Sequence, residues 1–190
     1  MDVKEFFDRL AEHWDDDYVP AAPERIAAAF FAQVAGARVL DVACGTGAMF
    51  PELLAAGAAE ITGVDISTEM AKRAAQKYAA DSRIKVLCGD VTKLPLSGFD
   101  SALIYNAYPH FMRKELLIDA MARALKPGGR LTLAHGAGRD IINNHHSGVP
   151  HSVKTPLRAA SVEAEVWKGL FEVDAIVDTP FFYLISGTRL

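Results

Sequence analysis

Three aspartates and two glycines in the first half of the chain are spaced for ligand chemistry. Val39-Leu40-Asp41-Val42-Ala43-Cys44-Gly45-Thr46-Gly47 reads as a buried strand running into a glycine turn, with a helix from Phe50 to Ala56 after it. A glycine turn lets a ligand approach the backbone with no Cβ in the way, and the helix start beyond it offers unpaired N–H groups. Asp65 stands twenty residues past Gly45, at the tip of a second strand, Ile61-Thr62-Gly63-Val64. An acid at that tip can accept hydrogen bonds from two ribose hydroxyls. Together these features describe a nucleoside-binding cleft at the carboxyl end of a parallel sheet. The third acid, in Gly89-Asp90-Val91, follows a third strand and falls at the same end of the sheet. Its alternative is ordinary turn chemistry, which a Gly-Asp pair also serves.

The glycine spacing bears on which nucleoside. A dinucleotide fingerprint is G-x-G-x-x-G. Gly45 and Gly47 meet its first two positions, but the third falls on Phe50. A bulky ring there opposes the close helix–strand packing and the pyrophosphate seat of that fingerprint. This argues against a nicotinamide oxidoreductase.

The elements that must position these residues follow from periodicity. Strands are predicted over Arg38–Val42, Ile61–Val64, Lys85–Cys88, Ser101–Tyr105 and Arg130–Ala134. Helices are predicted over 50–56, 68–79 and 113–125, with Ser67 or Thr68 capping the second and Lys126-Pro127-Gly128-Gly129 stopping the third. Such alternation implies a doubly wound, mostly parallel, Rossmann-like sheet, with the ligand outside the strand carboxyl ends. Residues 136 to 157 read as a loop or broken helix. A helix over 161–170 and two strands, Glu172–Val177 and Phe181–Ser186, close the chain. The short Asp178-Thr179-Pro180 link makes those strands an antiparallel hairpin, giving seven strands in all. Phe6, Phe7, Leu10 and Trp14 sit at helical spacing, Pro20 and Pro23 interrupt the chain, and a second helix runs from Glu24 to about Val34. The expected organisation is a single domain: a helical cap over 1–35, a ligand-binding core over 36–135, an acceptor-side loop over 136–160, and a closing helix and hairpin over 161–190.

Composition narrows the class. The chain has 190 residues, 51% hydrophobic and 23% charged, with 20 basic and 24 acidic side chains and a net charge of −4. That suits one globular domain with a full core, and it lacks the basic footprint of a nucleic-acid binder. No stretch of about 18 uncharged apolar residues exists to span a membrane, and Met1-Asp2-Val3-Lys4-Glu5 lacks a signal-peptide pattern. Cys44 and Cys88 make neither a disulfide framework nor a metal spacing, so a reducing, cytoplasmic setting is expected. Oligomeric state stays open between monomer and homodimer. Phe181, Phe182 and Tyr183 either pair across a dimer or fill an ordinary buried strand.

The run Asp41-Val42-Ala43-Cys44-Gly45-Thr46-Gly47 resembles the first motif of class I S-adenosylmethionine-dependent methyltransferases. Four more segments resemble that family: Val64-Asp65-Ile66-Ser67, Gly89-Asp90-Val91, Phe99-Asp100-Ser101-Ala102-Leu103 and Leu125-Lys126-Pro127-Gly128-Gly129. The resemblance covers about residues 36 to 135 and is closest to the small-molecule branch that includes quinone-biosynthesis enzymes. It implies S-adenosylmethionine as cofactor and a small-molecule methyl acceptor. By that resemblance Gly45 and Gly47 pass the methionine part, Asp41 holds the ammonium, and Asp65 takes the ribose hydroxyls. Ile66 packs on the adenine face, Asp90 accepts from the adenine amino group, the Val91 N–H donates to the ring, and the Tyr105 carbonyl meets the ammonium. Alternatives within the same fold are a non-catalytic cofactor-binding partner or sensor, and a methyltransferase acting on protein or RNA.

Methyl transfer from a sulfonium needs alignment and exclusion of water more than acid–base groups. A general base is optional and depends on the acceptor. If one exists it belongs beyond the strand tips, where His110 and His135 are the candidates; the bland reading of each is packing or capping. Asn106 and Tyr108 are expected to line the acceptor pocket. Asn106-Ala107-Tyr108-Pro109 is not the Asn-Pro-Pro-aromatic motif of amino-methylating nucleic-acid enzymes, which argues against a base as acceptor. The loop with Asn143, Asn144, His145, His146 and His151 suggests acceptor recognition, with His145 and His146 foremost. Its histidines match no standard zinc spacing, and no metal is expected. In the family's small-molecule branch the N-terminal segment commonly caps the cofactor, which makes Trp14 and Tyr18 candidate lid residues.

Overall fold

A computed structural model describes residues 1–145 and 150–190. Two helices, α1 (Val3–Leu10) and α2 (Pro23–Phe31), precede the alternating region. There follow β1 (Arg38–Val42), α3 (Phe50–Ala55), β2 (Glu60–Asp65), α4 (Thr68–Lys77), β3 (Ile84–Cys88), β4 (Phe99–Tyr105), α5 (Lys114–Ala124) and β5 (Leu125–His135). The chain closes with α6 (Arg139–His145), α7 (Ala160–Glu163), β6 (Phe171–Asp178) and β7 (Tyr183–Arg189).

The strands form one sheet in the order β3-β2-β1-β4-β5-β7-β6. Pairing is parallel from β3 to β5, and β7 runs antiparallel to both β5 and β6. From β1 the chain winds outward to β3 and then returns to β4 on the other side of β1. That reversal opens a crevice at the carboxyl ends of β1 and β4.

Side-chain alternation puts a separate core on each face of the sheet. Leu40, Val42, Ile104, Leu131, Leu133 and Ile185 pack one face with Leu117, Met121 and Trp167. Their neighbours Val39, Ile61, Leu103, Ala134 and Leu184 pack the other with Phe50 and Leu53. Central strands must therefore be apolar almost throughout, as Val39, Leu40 and Val42 are. The outer strand β6 instead alternates part-buried and exposed positions after a buried Phe171. Among the described residues no helix is long and apolar enough to cross a membrane.

Local chemistry sets the helix starts. Asp2 and Glu5 form a capping box on α1. Ser67, not Thr68, caps α4, its Oγ accepting from Met70 N at 3.1 Å.

Some expected boundaries move. The strand after α5 begins at Leu125, which pairs with Phe99 before the ladder skips to Ser101 and Arg130. The Lys126–Gly129 turn is thus an outward excursion within β5. The predicted helix over 161–170 is shorter, since α7 stops at Glu163 and a 3₁₀ turn, Ala164–Trp167, continues it. The last strand starts at Tyr183 because Thr179 Oγ1 accepts from the N–H groups of Phe181 and Phe182 and holds both in the turn. Phe181 is 80% exposed there, while Tyr183 is buried. Residues 136–157 contain α6 and a short 3₁₀ turn, His151–Val153.

Gly63 in the middle of β2 is a packing constraint. A Cβ on it would lie 2.5 Å from Phe50 Cζ and 2.8 Å from Cys44 Sγ, both buried. Gly63→Ala is expected to destabilise the fold by about 1–3 kcal/mol through overpacking. Urea unfolding checks this, and an unchanged midpoint would mean the Phe50 ring is free to move aside.

Candidate functional site

The carboxyl ends of the parallel strands open into one cavity of about 610 Å³. Asp41, Gly45, Asp65, Ile66, Asp90, Val91, Tyr105 and Asn106 all line it.

Asp65 ends β2 and is buried. Its Oδ2 accepts from Gly45 N at 2.8 Å and its Oδ1 from Ser67 N at 2.8 Å. One carboxylate therefore ties the glycine turn to the start of α4 and still faces the cavity. Burial raises its pKa even though these two N–H groups pull the other way. Gly45 is left-handed at φ +56°, and so are Ala43 at +54° and Asn106 at +54°. For Ala43 that conformation is strained, and such strain is characteristic of functional sites.

Asp41 is buried at the end of β1, and its Oδ2 has no hydrogen-bond partner among the described residues. Burial, reinforced by the Asp65 charge, pushes its pKa up to about 8. A buried acceptor without a donor is costly, so this oxygen is suited to a ligand that brings one.

Asp90 follows β3. Its Oδ1 accepts from Thr92 Oγ1 at 2.7 Å and Thr92 N at 3.0 Å, and its Oδ2 pairs with Lys93 at 3.0 Å. Partial burial would raise its pKa, but the Thr92 hydroxyl and the Lys93 ammonium outweigh that and hold it below the usual carboxylate value. Asp65 and Cys88 pair across β2 and β3, and Gly89 N donates to the Asp65 carbonyl at 2.8 Å. The two acids thus occupy adjacent strand tips on one cavity.

The N-terminal segment roofs this cavity. Phe7 sets its ring edge-on against His110 at 4.8 Å and against Trp14 at 5.6 Å. Trp14 Nε1 stands over the glycine turn, 3.4 Å from where a Cβ on Gly45 would lie. Two carboxylates latch the segment down. Asp8 accepts from Ser67 Oγ at 2.6 Å and Glu69 N at 3.2 Å, and Asp15 accepts from Thr46 Oγ1 at 2.5 Å.

His110 lines the cavity, in the 3₁₀ turn after β4. Its Nδ1 lies 2.8 Å from the Val153 carbonyl. A carbonyl only accepts, so Nδ1 carries the proton and the basic lone pair belongs to Nε2. Burial lowers its pKa, against the pull of the Val153 carbonyl, and keeps the ring neutral at pH 7. Asn106 Oδ1 accepts from Gly136 N at 2.9 Å and joins the tips of β4 and β5.

Four expected site residues lie elsewhere. Gly47 does not line the cavity; a Cβ on it would meet the Phe50 and Tyr78 rings at 2.7 Å, and Tyr78 OH donates to its carbonyl at 3.0 Å. Its left-handed φ of +84° serves that packing, and Ala48 and Met49 reach the cavity instead. His135 is buried beside Tyr183, with ring centroids 5.8 Å apart, because alternation along β5 turns it onto the face it shares with Leu133. Tyr108 is in the core, its OH donating to Glu163 Oε2 at 3.1 Å and its ring 3.8 Å from Lys114 Nζ. Tyr18 is off the cavity, held by Arg25 at 4.6 Å and Lys77 at 5.1 Å from its ring centre. His146 lies outside the described residues, as does the side chain of His145 at the end of α6.

Sequence reasoning missed Arg25, Met112 and Leu116, which also line the cavity. Met112 and Leu116 are exposed apolar side chains around the start of α5, and only the fold brings them to the crevice.

The family model described as "Methyltransferase domain" matches residues 39–129. A ubiquinone/menaquinone biosynthesis C-methyltransferase of Syntrophotalea carbinolica is 34% identical over 141 residues, covering 69% of this chain and 60% of that protein. An O-methyltransferase of Aspergillus nomiae is 29% identical over 134 residues, covering 64% of this chain and 60% of that protein. The chain therefore spans about 60% of the length of these curated relatives. Among solved structures, phosphoethanolamine N-methyltransferase 2 of Haemonchus contortus, in complex with S-adenosyl-L-methionine, shares the fold with a TM-score of 0.78. It is 16% identical, and the match covers 100% of this chain and 60% of that one.

Proposed function

We infer that this chain is a class I S-adenosylmethionine-dependent methyltransferase that transfers the cofactor's methyl group to a small-molecule acceptor by in-line displacement. The observation that carries the reading is the convergence of Asp41, Asp65 and Asp90 on one cavity. Asp41 offers a buried oxygen with no donor of its own, which an amino acid ammonium satisfies. Asp65 and Asp90 supply acceptors at neighbouring strand tips for ribose hydroxyls and an adenine amino group. Ile66 and Val91 add apolar surface for the base.

When bound, the cofactor supplies a methyl group on a positively charged sulfur, already activated for displacement. The protein's part is then to orient the acceptor and keep water out. Phe7 and Trp14 do the second. His110 is the residue for any proton that the acceptor must lose, since its neutral ring has Nε2 as the base. The cavity volume is typical of small-molecule sites, which run from about 300 to 1,000 Å³. One relative is named as a C-methyltransferase of ubiquinone/menaquinone biosynthesis and another as an O-methyltransferase, which supports a small acceptor here.

Isothermal titration with S-adenosylmethionine and S-adenosylhomocysteine, followed by labelled-methyl turnover on a metabolite extract, tests the reading. Binding by neither compound would end it. Binding without labelled product from any extract would point to a sensor.

His110→Asn is expected to lower turnover by roughly 100-fold if the acceptor is a protonated oxygen or nitrogen, with cofactor affinity unchanged. The rate of the parent enzyme should fall on the acid side with an apparent pKa below the ordinary histidine value, because burial depresses it. A variant that keeps full turnover and the same acid limb would remove His110 from the chemistry.

A further inference from the structure

A groove separate from the cofactor cavity runs between α2, α3 and the segment that joins α1 to α2. Its walls are mainly apolar, with Ile26, Phe30, Pro51 and Ala55 beside the rings of Tyr18 and Tyr78. Gln33 and Lys77 add exposed polar groups, the Lys77 ammonium being paired with Asp15 at 3.2 Å, and the buried polar side chain of the lining is Glu52. It lines the groove, is 6% exposed, and its Oε2 has no hydrogen-bond partner among the described residues. Its other oxygen accepts from Arg25 Nε at 2.9 Å. Native folds rarely leave a buried carboxylate oxygen unsatisfied, because no partner repays its desolvation.

The missing partner must be a donor, and its charge can be argued. Arg25 already balances Glu52, so a second cation would bring an unmatched charge into an apolar setting. A neutral donor satisfies the oxygen without that cost. The apolar walls select the rest of the molecule. We propose that this groove binds a small, neutral, apolar molecule carrying one hydroxyl group, seated with that hydroxyl donating to Glu52 Oε2.

The probe is para-fluorophenol, with fluorobenzene as the matched molecule lacking the donor, both titrated into the full chain and read by fluorine NMR. The phenol is expected to bind tighter by about tenfold or more, since a hydrogen bond to a charged group is worth at least that. Ala55→Trp, at an exposed position on the groove wall, should remove phenol binding while leaving the fold intact. Glu52→Gln, which keeps an acceptor for Arg25 but turns an N–H group to the groove, should erase the difference between the two probes. Equal binding of phenol and fluorobenzene by the parent protein, or phenol affinity unchanged in Ala55→Trp, would overturn the proposal. So would a concentration-dependent dimer that Ala55→Trp disrupts with no phenol binding, which would give the groove to a second copy of the chain.

Discussion

Asp65→Ala is expected to weaken S-adenosylmethionine binding by roughly 1.5–3 kcal/mol, a loss of about 10- to 150-fold in affinity. On the proposed reading the interactions lost are charge-assisted hydrogen bonds to the ribose. The substitution also frees Gly45 N and Ser67 N, which the carboxylate now holds at 2.8 Å each. Some of the loss should therefore come from a loosened glycine turn. Asp65→Asn separates the two contributions, since its amide oxygen can keep one of the backbone bonds. Titration calorimetry on variants with parent-like circular dichroism is the measurement. An Asp65→Ala protein that folds and binds the cofactor as before would remove this carboxylate from the nucleoside site.

The second large effect concerns pH. In the ligand-free protein Asp41 has its pKa pushed up to about 8 by burial and then by Asp65. The folded state therefore holds a proton that the unfolded chain releases near pH 4. Stability of the ligand-free protein should accordingly fall as pH rises from about 4 toward about 8, through this residue. An ammonium beside Asp41 favours its charged form and lowers that pKa. Cofactor binding should then release a proton at pH 7 and tighten as pH rises toward about 8. Calorimetry in two buffers of different ionisation enthalpy counts the proton. Asp41→Asn should abolish the release and flatten the pH dependence of affinity; equal proton release in variant and parent would assign the titration to another group.

The part of this molecule that was legible in advance is the part fixed by local pattern. The first strand was read to its ends because Val39, Leu40 and Val42 form an apolar run, broken only by Asp41, that a glycine turn cuts off. Asp41, Asp65 and Asp90 were legible because parallel winding places successive strand tips on one edge, whatever covers them. Facing was harder. His135 was placed just beyond a strand expected to end at Ala134, whereas β5 runs on to it and alternation with Leu133 turns it inward. Tyr108 was drawn inward by Glu163, a partner fifty-five residues away that no local pattern reveals. Gly47 carries the same signal as Gly45, yet its backbone bends for Phe50 and Tyr78. Phe182 has strong strand propensity, and one threonine hydroxyl overrides it. Phe7 was visible as part of an apolar stripe, but a stripe does not say whether it will cover a core or a cavity.

The Phe7 ring packs against both His110 and Trp14, and Trp14 stands over the glycine turn. Two reactants entering past this ring would have to queue. On the proposed reading the nucleoside would be seated first, the molecule to be methylated would follow, and departures would run in reverse. Kinetics of that ordered kind would show demethylated cofactor competing directly with its parent. Each cycle would also require the Asp8 and Asp15 latches to open. The pace of turnover would then follow the swing of fourteen or so residues through solvent, slowing with viscosity, rather than the speed of the displacement itself.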